Sequence, residues 1–160
     1  MRRFLIVFAA VANLVLVDAV AKEIAAVQLK GRAAVSVIPG LFSLAYVENR
    51  GCAWGMFQGS VWPLAAFGVV AMALLVWKRR DVFFLAESGW RRAFGRVAEC
   101  LLYAGIVGNL LDRAFRGFVV DMLDFHLGGH HFPCFNIADT YITVAAGVLL
   151  LLSFRQRDRK

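Results

Sequence analysis

Four apolar runs dominate the chain, at about residues 4–21, 61–77, 93–111 and 136–154. Each approaches the ~20 residues a helix needs to cross the hydrocarbon layer of a bilayer, the second being the shortest. Four strands cannot close a barrel, and an unclosed strand would leave its backbone groups unpaired in lipid, so the spans are read as helices. Composition agrees. The 160 residues are 61% hydrophobic and 18% charged, with a mean hydropathy of +0.68, which is too oily for an ordinary globular domain. The expected architecture is a single domain over residues 1–160: an α-helical integral membrane protein with four transmembrane helices.

The net charge of +7 raises nucleic acid as a partner, but the basic residues clump at the ends of the apolar runs instead of forming a stripe. Twelve of them fall on one side of a four-span arrangement, at residues 2–3, 78–96 and 155–160; six fall on the other. The positive-inside rule then places both termini and the 78–92 loop in the cytoplasm, with 22–60 and 112–135 facing outward. Trp77 with Lys78-Arg79-Arg80, and Trp90 with Arg91-Arg92, are interfacial anchors. Glu99 is expected to pair with Arg92 or Arg96 near the inner interface. The RQRDRK tail (155–160) suits contact with anionic lipid.

Arg2-Arg3, an apolar core and Ala19-Val20-Ala21 imitate a cleavable signal peptide, although Asp18 is awkward there. In the first outward segment, Ile24 to Leu29 reads as a short helix lying on the membrane surface. Pro39-Gly40 is a turn signal, and residues 41–47 have strand-like content. Glu48-Asn49-Arg50-Gly51 then reads as a hairpin turn before CAWGMF. A small outward-facing β-element is the result. Three cysteines, Cys52, Cys100 and Cys134, show no C-x-x-C spacing, so no disulfide framework or zinc ribbon is expected.

Between Gly105 and Asp139 four aspartates, two arginines, two asparagines and three histidines crowd between apolar runs. Ionisable groups are costly beside hydrocarbon, so such a cluster is a functional-site hypothesis. Asn109, Asp112, Arg113 and Arg116 follow i, i+3, i+4, i+7 spacing and share one helical face. Asn136 and Asp139 are three apart, with Asp139 in a first turn where the helix dipole favours an anion. Asp121 lies among two valines and a methionine. If Asp121 and Asp139 meet, one holds a proton while the other is charged, which makes a general acid and a general base. Spacing alone leaves a second reading open, a proton-coupled transporter or proton-relay subunit.

The blocks GNLLDR (108–113), GFVVDMLDF (117–125) and FNIADTYITV (135–144) resemble the signature segments of signal peptidase II, the bacterial lipoprotein signal peptidase family. VDAVAK (17–22) and YVENRGCAWGMF (46–57) resemble two further blocks in the same order. The resemblance implies an aspartyl endopeptidase of the bacterial inner membrane. It would remove the signal peptide from prolipoproteins, cutting before a diacylglyceryl-cysteine. Asp121 and Asp139 would be the catalytic pair. Asp18, Lys22, Asn49, Gly51, Asn109, Asp112, Arg113 and Asn136 would support it. Membrane lipid and a globomycin-type inhibitor are implied partners, nucleic acid is not, and no metal or cofactor is implied. Cys52, Met122 and Thr140 depart from the family pattern at positions usually Ala, Phe and Ser.

Blander roles compete for several of these residues. Asp124 reads as a surface carboxylate paired with an arginine. Asp112 reads either as a catalyst or as a structural ion pair with Arg113. Asp18 and Lys22, at i and i+4, suit a pair on one helix. His126, His130, His131 and Cys134 have no established ligand spacing, so a zinc-dependent hydrolase is a weaker rival. Trp54 and Phe57 either line a substrate groove or sit as interfacial aromatics.

Overall fold

The computed structural model describes residues 2–85 and 87–157. Among the described residues, five α-helices and four strands follow one another in the order α1 (Arg2–Leu29), β1 (Val35–Ile38), β2 (Phe42–Asn49), α2 (Val61–Trp77), α3 (Arg79–Val82), α4 (Gly89–Arg116), β3 (Val119–Leu127), β4 (His130–His131) and α5 (Ile137–Arg157), with a short 3-10 turn at Ala53–Gly55 between β2 and α2. Three helices, within Phe4–Leu29, Gly89–Arg116 and Ile137–Phe154, are long and apolar enough to cross a membrane; α2 is apolar but has 17 residues. The chain is a multi-pass membrane protein. Residues 158–160, which complete the basic tail, lie outside the described residues.

α4 is the hub and packs against α1, α2 and α5. Its approach to α5 depends on Gly105. A Cβ there would stand 2.5 Å from the Ala138 carbonyl oxygen and 2.6 Å from Ile142 Cγ1. Overpacking a tight contact costs about 1–3 kcal/mol. Gly105→Leu is therefore expected to lower the thermal midpoint of the purified protein in detergent, and to displace the start of α5, where Asp139 sits. An unchanged midpoint would contradict the close packing.

Two readings of the first outward segment are corrected. Ile24–Leu29 is not a separate surface helix, because α1 runs unbroken to Leu29. At 1.5 Å per residue its length is about 42 Å, more than the hydrocarbon layer requires, so its last turns project beyond it. Those turns form a platform: Ala25, with Ala21 and Leu29, packs against Val120 and Met122 of β3. Nothing between Ala21 and Leu29 breaks a helix, and the first glycine is Gly31, with positive φ.

The 48–51 segment is not a hairpin turn before CAWGMF. β2 instead pairs on one side with β1, through the turn at Pro39-Gly40, and on the other with β3. The four-stranded antiparallel sheet has the order β1-β2-β3-β4. β3 and β4 join at Gly128-Gly129, both at positive φ, as a tight primed turn demands. The register of β2 on β3 slips between Leu44/Leu123 and Val47/Asp121, a bulge beside Asp121.

Candidate active site

Asp121 lies on β3, where alternate side chains face opposite ways. Val120 and Met122 turn toward α1, while Val119 and Asp121 line a cavity of 440 Å³. The chain then turns back through β4 so that Phe135 runs beside β3. Its carbonyl accepts from the amides of both Met122 (2.9 Å) and Leu123 (2.8 Å). This return brings Asn136, the residue that opens α5, against Asp121.

Asn136 and Asp139 cap α5 reciprocally. The Asn136 Oδ1 accepts the Asp139 N–H at 2.9 Å, and Asp139 Oδ2 accepts the Asn136 N–H at 3.3 Å. That is a capping box with amide and carboxylate in the two roles. It fixes the Asp139 carboxyl at the positive end of the helix dipole. The Asn136 amide is the hinge of the site, since its Nδ2 also donates to Asp121 Oδ1 at 2.7 Å and to Asn109 Oδ1 at 3.2 Å.

Each carboxyl oxygen of the pair accepts a hydrogen bond. Asp121 Oδ2 receives Asn49 Nδ2 at 2.9 Å, and Asp139 Oδ1 receives Asn109 Nδ2 at 2.7 Å. Both aspartates line the 440 Å³ cavity, together with Asn49, Asn109 and Arg113. Asp121 is 2% exposed. Burial pushes its carboxyl up to about 7, and the charge of Asp139 adds to the rise, against the hydrogen bonds from Asn49 and Asn136. The arrangement can hold one proton between two carboxyls near neutral pH.

The supporting residues form a layer beneath. Asn49 Oδ1 accepts the Gly51 N–H at 2.9 Å, closing an Asx turn. Arg113 Nη2 donates to the Gly51 carbonyl at 3.0 Å, which ties the 50–59 loop to α4. Gly51 has to be glycine, because a Cβ would run into the Met56 carbonyl oxygen. Asp18 and Lys22, each 1% exposed, do pair within α1, at 2.8 Å. They also reach further. Asp18 Oδ1 accepts the Ala138 N–H at 2.8 Å, and Lys22 Nζ meets Asp112 at 3.0 Å and Asn109 Oδ1 at 3.0 Å. A cut after Ala21 would therefore remove Asp18, both the acceptor of the Ala138 N–H and the partner of Lys22 within α1.

Other expected partners differ. Asp112 is structural, but with Lys22, Arg116 (3.1 Å) and the Val120 N–H (3.1 Å), not with Arg113. Glu99 pairs with Arg79 at 2.6 Å and not with Arg92 or Arg96. Asp124 meets His131 Nδ1 at 2.8 Å in place of an arginine, and His126 Nε2 lies 3.0 Å from Ser43 Oγ. Burial pushes the Cys134 thiol up to about 12, leaving it a poor nucleophile. Two walls of the cavity, Phe132 and Pro133, were not singled out by the sequence reading. Pro133, three residues ahead of the Asn136 cap, is the only hint of them.

Two further cavities adjoin the pair. One of 490 Å³ lies against β2 and β3 and is lined by Asp121, Trp54 and Asp124. The other, of 840 Å³, runs between α2 and α4 past Phe57 and Phe67 and ends at Asn109, Arg113 and Asp139. Both aromatics of the loop line cavities: Trp54 the first, Phe57 the second. Cys52 borders all three spaces.

Fold and site together define a multi-pass membrane enzyme with a buried carboxyl pair where an apolar groove meets a small sheet. The model of the signal peptidase II family matches residues 10–155. The lipoprotein signal peptidase of Symbiobacterium thermophilum is 39% identical over 137 residues, 86% of this chain and 86% of that protein. That of Syntrophotalea carbinolica is 36% identical over 148 residues, 91% of this chain and 88% of its own. Among solved structures, a bacterial membrane enzyme determined in meso at 2.3 Å superposes with a TM-score of 0.80 at 29% identity, over 96% of this chain and 90% of its own. A second, at 1.9 Å, gives 0.74 at 31% identity over 91% and 90%. The chain belongs to the signal peptidase II family and is a protease. The transporter or proton-relay reading gives way to this membership.

Proposed function

We propose that this protein is an aspartyl endopeptidase in which Asp121 and Asp139 share one proton. Family membership carries the reaction, removal of the signal peptide from prolipoproteins. The observation that supports the pair is Asn136, whose side-chain amide donates to Asp121 while its backbone amide donates to Asp139.

In the proposed cycle Asp121 holds the proton, consistent with its raised pKa, and Asp139 is the anion favoured by the helix terminus. Asp139 takes a proton from a water molecule as its oxygen attacks the scissile carbonyl. Asp121 gives its proton to the carbonyl oxygen, producing a gem-diol. Collapse of the diol breaks the C–N bond as one diol hydroxyl returns its proton to Asp121, and the proton on Asp139 passes to the departing amine. Asn49, Asn109 and Asn136 hold the carboxyls, Arg113 holds the 50–59 loop, and Asp18, Lys22 and Asp112 hold Asn109 and the start of α5.

α2 serves as the fourth span, short enough to need its Trp77-Lys78 end at the interface. Both termini then face the cytoplasm and the sheet lies on the outer side of the inner membrane. The signal helix of the substrate lies in the 840 Å³ groove between α2 and α4, and its diacylglyceryl chains stay in lipid. Globomycin-type inhibitors would occupy the same groove.

The test uses purified protein and a prolipoprotein with and without diacylglycerol on its cysteine. Cleavage before the cysteine is expected only for the lipidated form, and is expected to survive a chelator. Equal cleavage of the unlipidated form, or loss of activity on chelation, would contradict the proposal.

A further inference from the structure

A second polar cluster lies at the other end of the bundle. Glu99 precedes Asp112 on α4 by 13 residues, about 20 Å at 1.5 Å per residue, so it takes no part in the carboxyl site. A cavity of 350 Å³ there is lined by Phe4 of α1, Arg79 and Arg80 of α3, and Arg92, Arg96 and Glu99 of α4. Glu99 is 0% exposed, and only its Oε1 is engaged, by Arg79. Its Oε2 is buried with no hydrogen-bond partner, and so is the Nε of Arg92. Buried polar atoms are rarely left unpaired, since each orphan costs free energy. Among the described residues Arg80, Arg92 and Arg96 have no carboxylate within ion-pair distance.

We propose that this cavity is a binding site for one anionic phospholipid of the leaflet on the side of the chain termini. The chemistry divides between the two ends of the headgroup. Arg80, Arg92 and Arg96 present guanidinium donors to the phosphate diester, a pairing that arginine favours through its forked geometry. Glu99 Oε2 accepts an O–H from the rest of the headgroup, which singles out a lipid with a hydroxyl-bearing alcohol. Phe4 offers an apolar edge to the first carbons of the acyl chains. Three cations against one carboxylate already matched by Arg79 leave an excess of positive charge that a neutral headgroup does not answer. Basic clusters at this depth attract anionic lipid in general. The buried, half-used glutamate gives this one a headgroup preference.

The test is native mass spectrometry of the intact protein released from detergent micelles doped with phosphatidylglycerol or phosphatidylcholine. One phosphatidylglycerol is expected to stay bound, with at least about tenfold preference over phosphatidylcholine. Arg92→Gln/Arg96→Gln is expected to lose that preference while its cleavage rate in detergent stays as in the wild type. Inorganic phosphate or glycerol phosphate at the same concentration should not displace the lipid. Equal retention of the two lipids by the wild type would overturn the proposal, whatever the variant does. A variant that keeps the preference would overturn it too, and displacement by inorganic phosphate would mark a site for free anions instead.

Discussion

Asp121→Asn and Asp139→Asn are each expected to lower the rate of signal-peptide release by at least about a thousandfold while leaving the protein folded. Positioned acid–base groups contribute about 10²–10⁴ in rate, and here one residue of each kind is lost with no neighbour to replace it. An amide keeps the shape and still accepts the hydrogen bonds on one side, so a folding defect is not expected. The double variant should be no slower than the worse single one, because a pair that shares one proton acts as a unit. Asp124→Asn is the control. It lines the neighbouring cavity but faces His131, and its rate should remain within about threefold of the wild type. Single-turnover cleavage of a lipidated precursor reads all four. If Asp124→Asn proved as inert as Asp121→Asn, the assignment on β3 would be wrong.

Lys22→Ala carries the largest expected stability effect. Lys22 is the cation between Asp18 and Asp112, and all three are buried below a tenth of exposure. Removing one partner of a buried pair costs about 3–5 kcal/mol, because the remaining charge has lost its solvent and its counterion together. Here Asp18 loses its counterion outright, while Asp112 keeps only Arg116. The expected result is a large fall in the thermal midpoint in detergent, with partial recovery in Lys22→Ala/Asp18→Asn, where the stranded charge is gone. Lys30→Ala, which breaks an exposed pair with Glu48, should leave the midpoint where it was. Equal effects from the two lysines would show that the buried triad has no special role.

The fate of these residues explains how much of the molecule was legible in its sequence. The apolar run of α2 ended at Trp77 in sequence and in structure, because an aromatic and a basic triplet mark the interface in both. The end of α1 was placed eight residues early for the opposite reason. Lys22-Glu23 looked like an exit into water, whereas Lys22 is buried by Asp112 and Asn109, some ninety residues away. No local pattern carries that information. Glu99 was matched to arginines on its own helix when its partner is Arg79, beyond the intervening loop. The hairpin assigned to 48–51 failed because the partner of β2 is β3, and the polar content of 112–135 hid a nine-residue strand between Gly117 and Gly128. The candidate site residues are read from family pattern and helical spacing. Their joint geometry depends on the return of Phe135 along β3, which only the fold supplies.

The most direct measurement is kcat/KM for a diacylglyceryl prolipoprotein from pH 4 to pH 9. With Asp121 raised to about 7, the shared proton is present below that value and is lost as pH rises through it. Activity is therefore expected to fall on the alkaline side with a midpoint near 7, and to fall again in acid as Asp139 takes up its own proton, giving a bell. A rate that climbs through pH 7 and holds to pH 9 would mean that no carboxyl donates the proton, and would contradict catalysis by the pair.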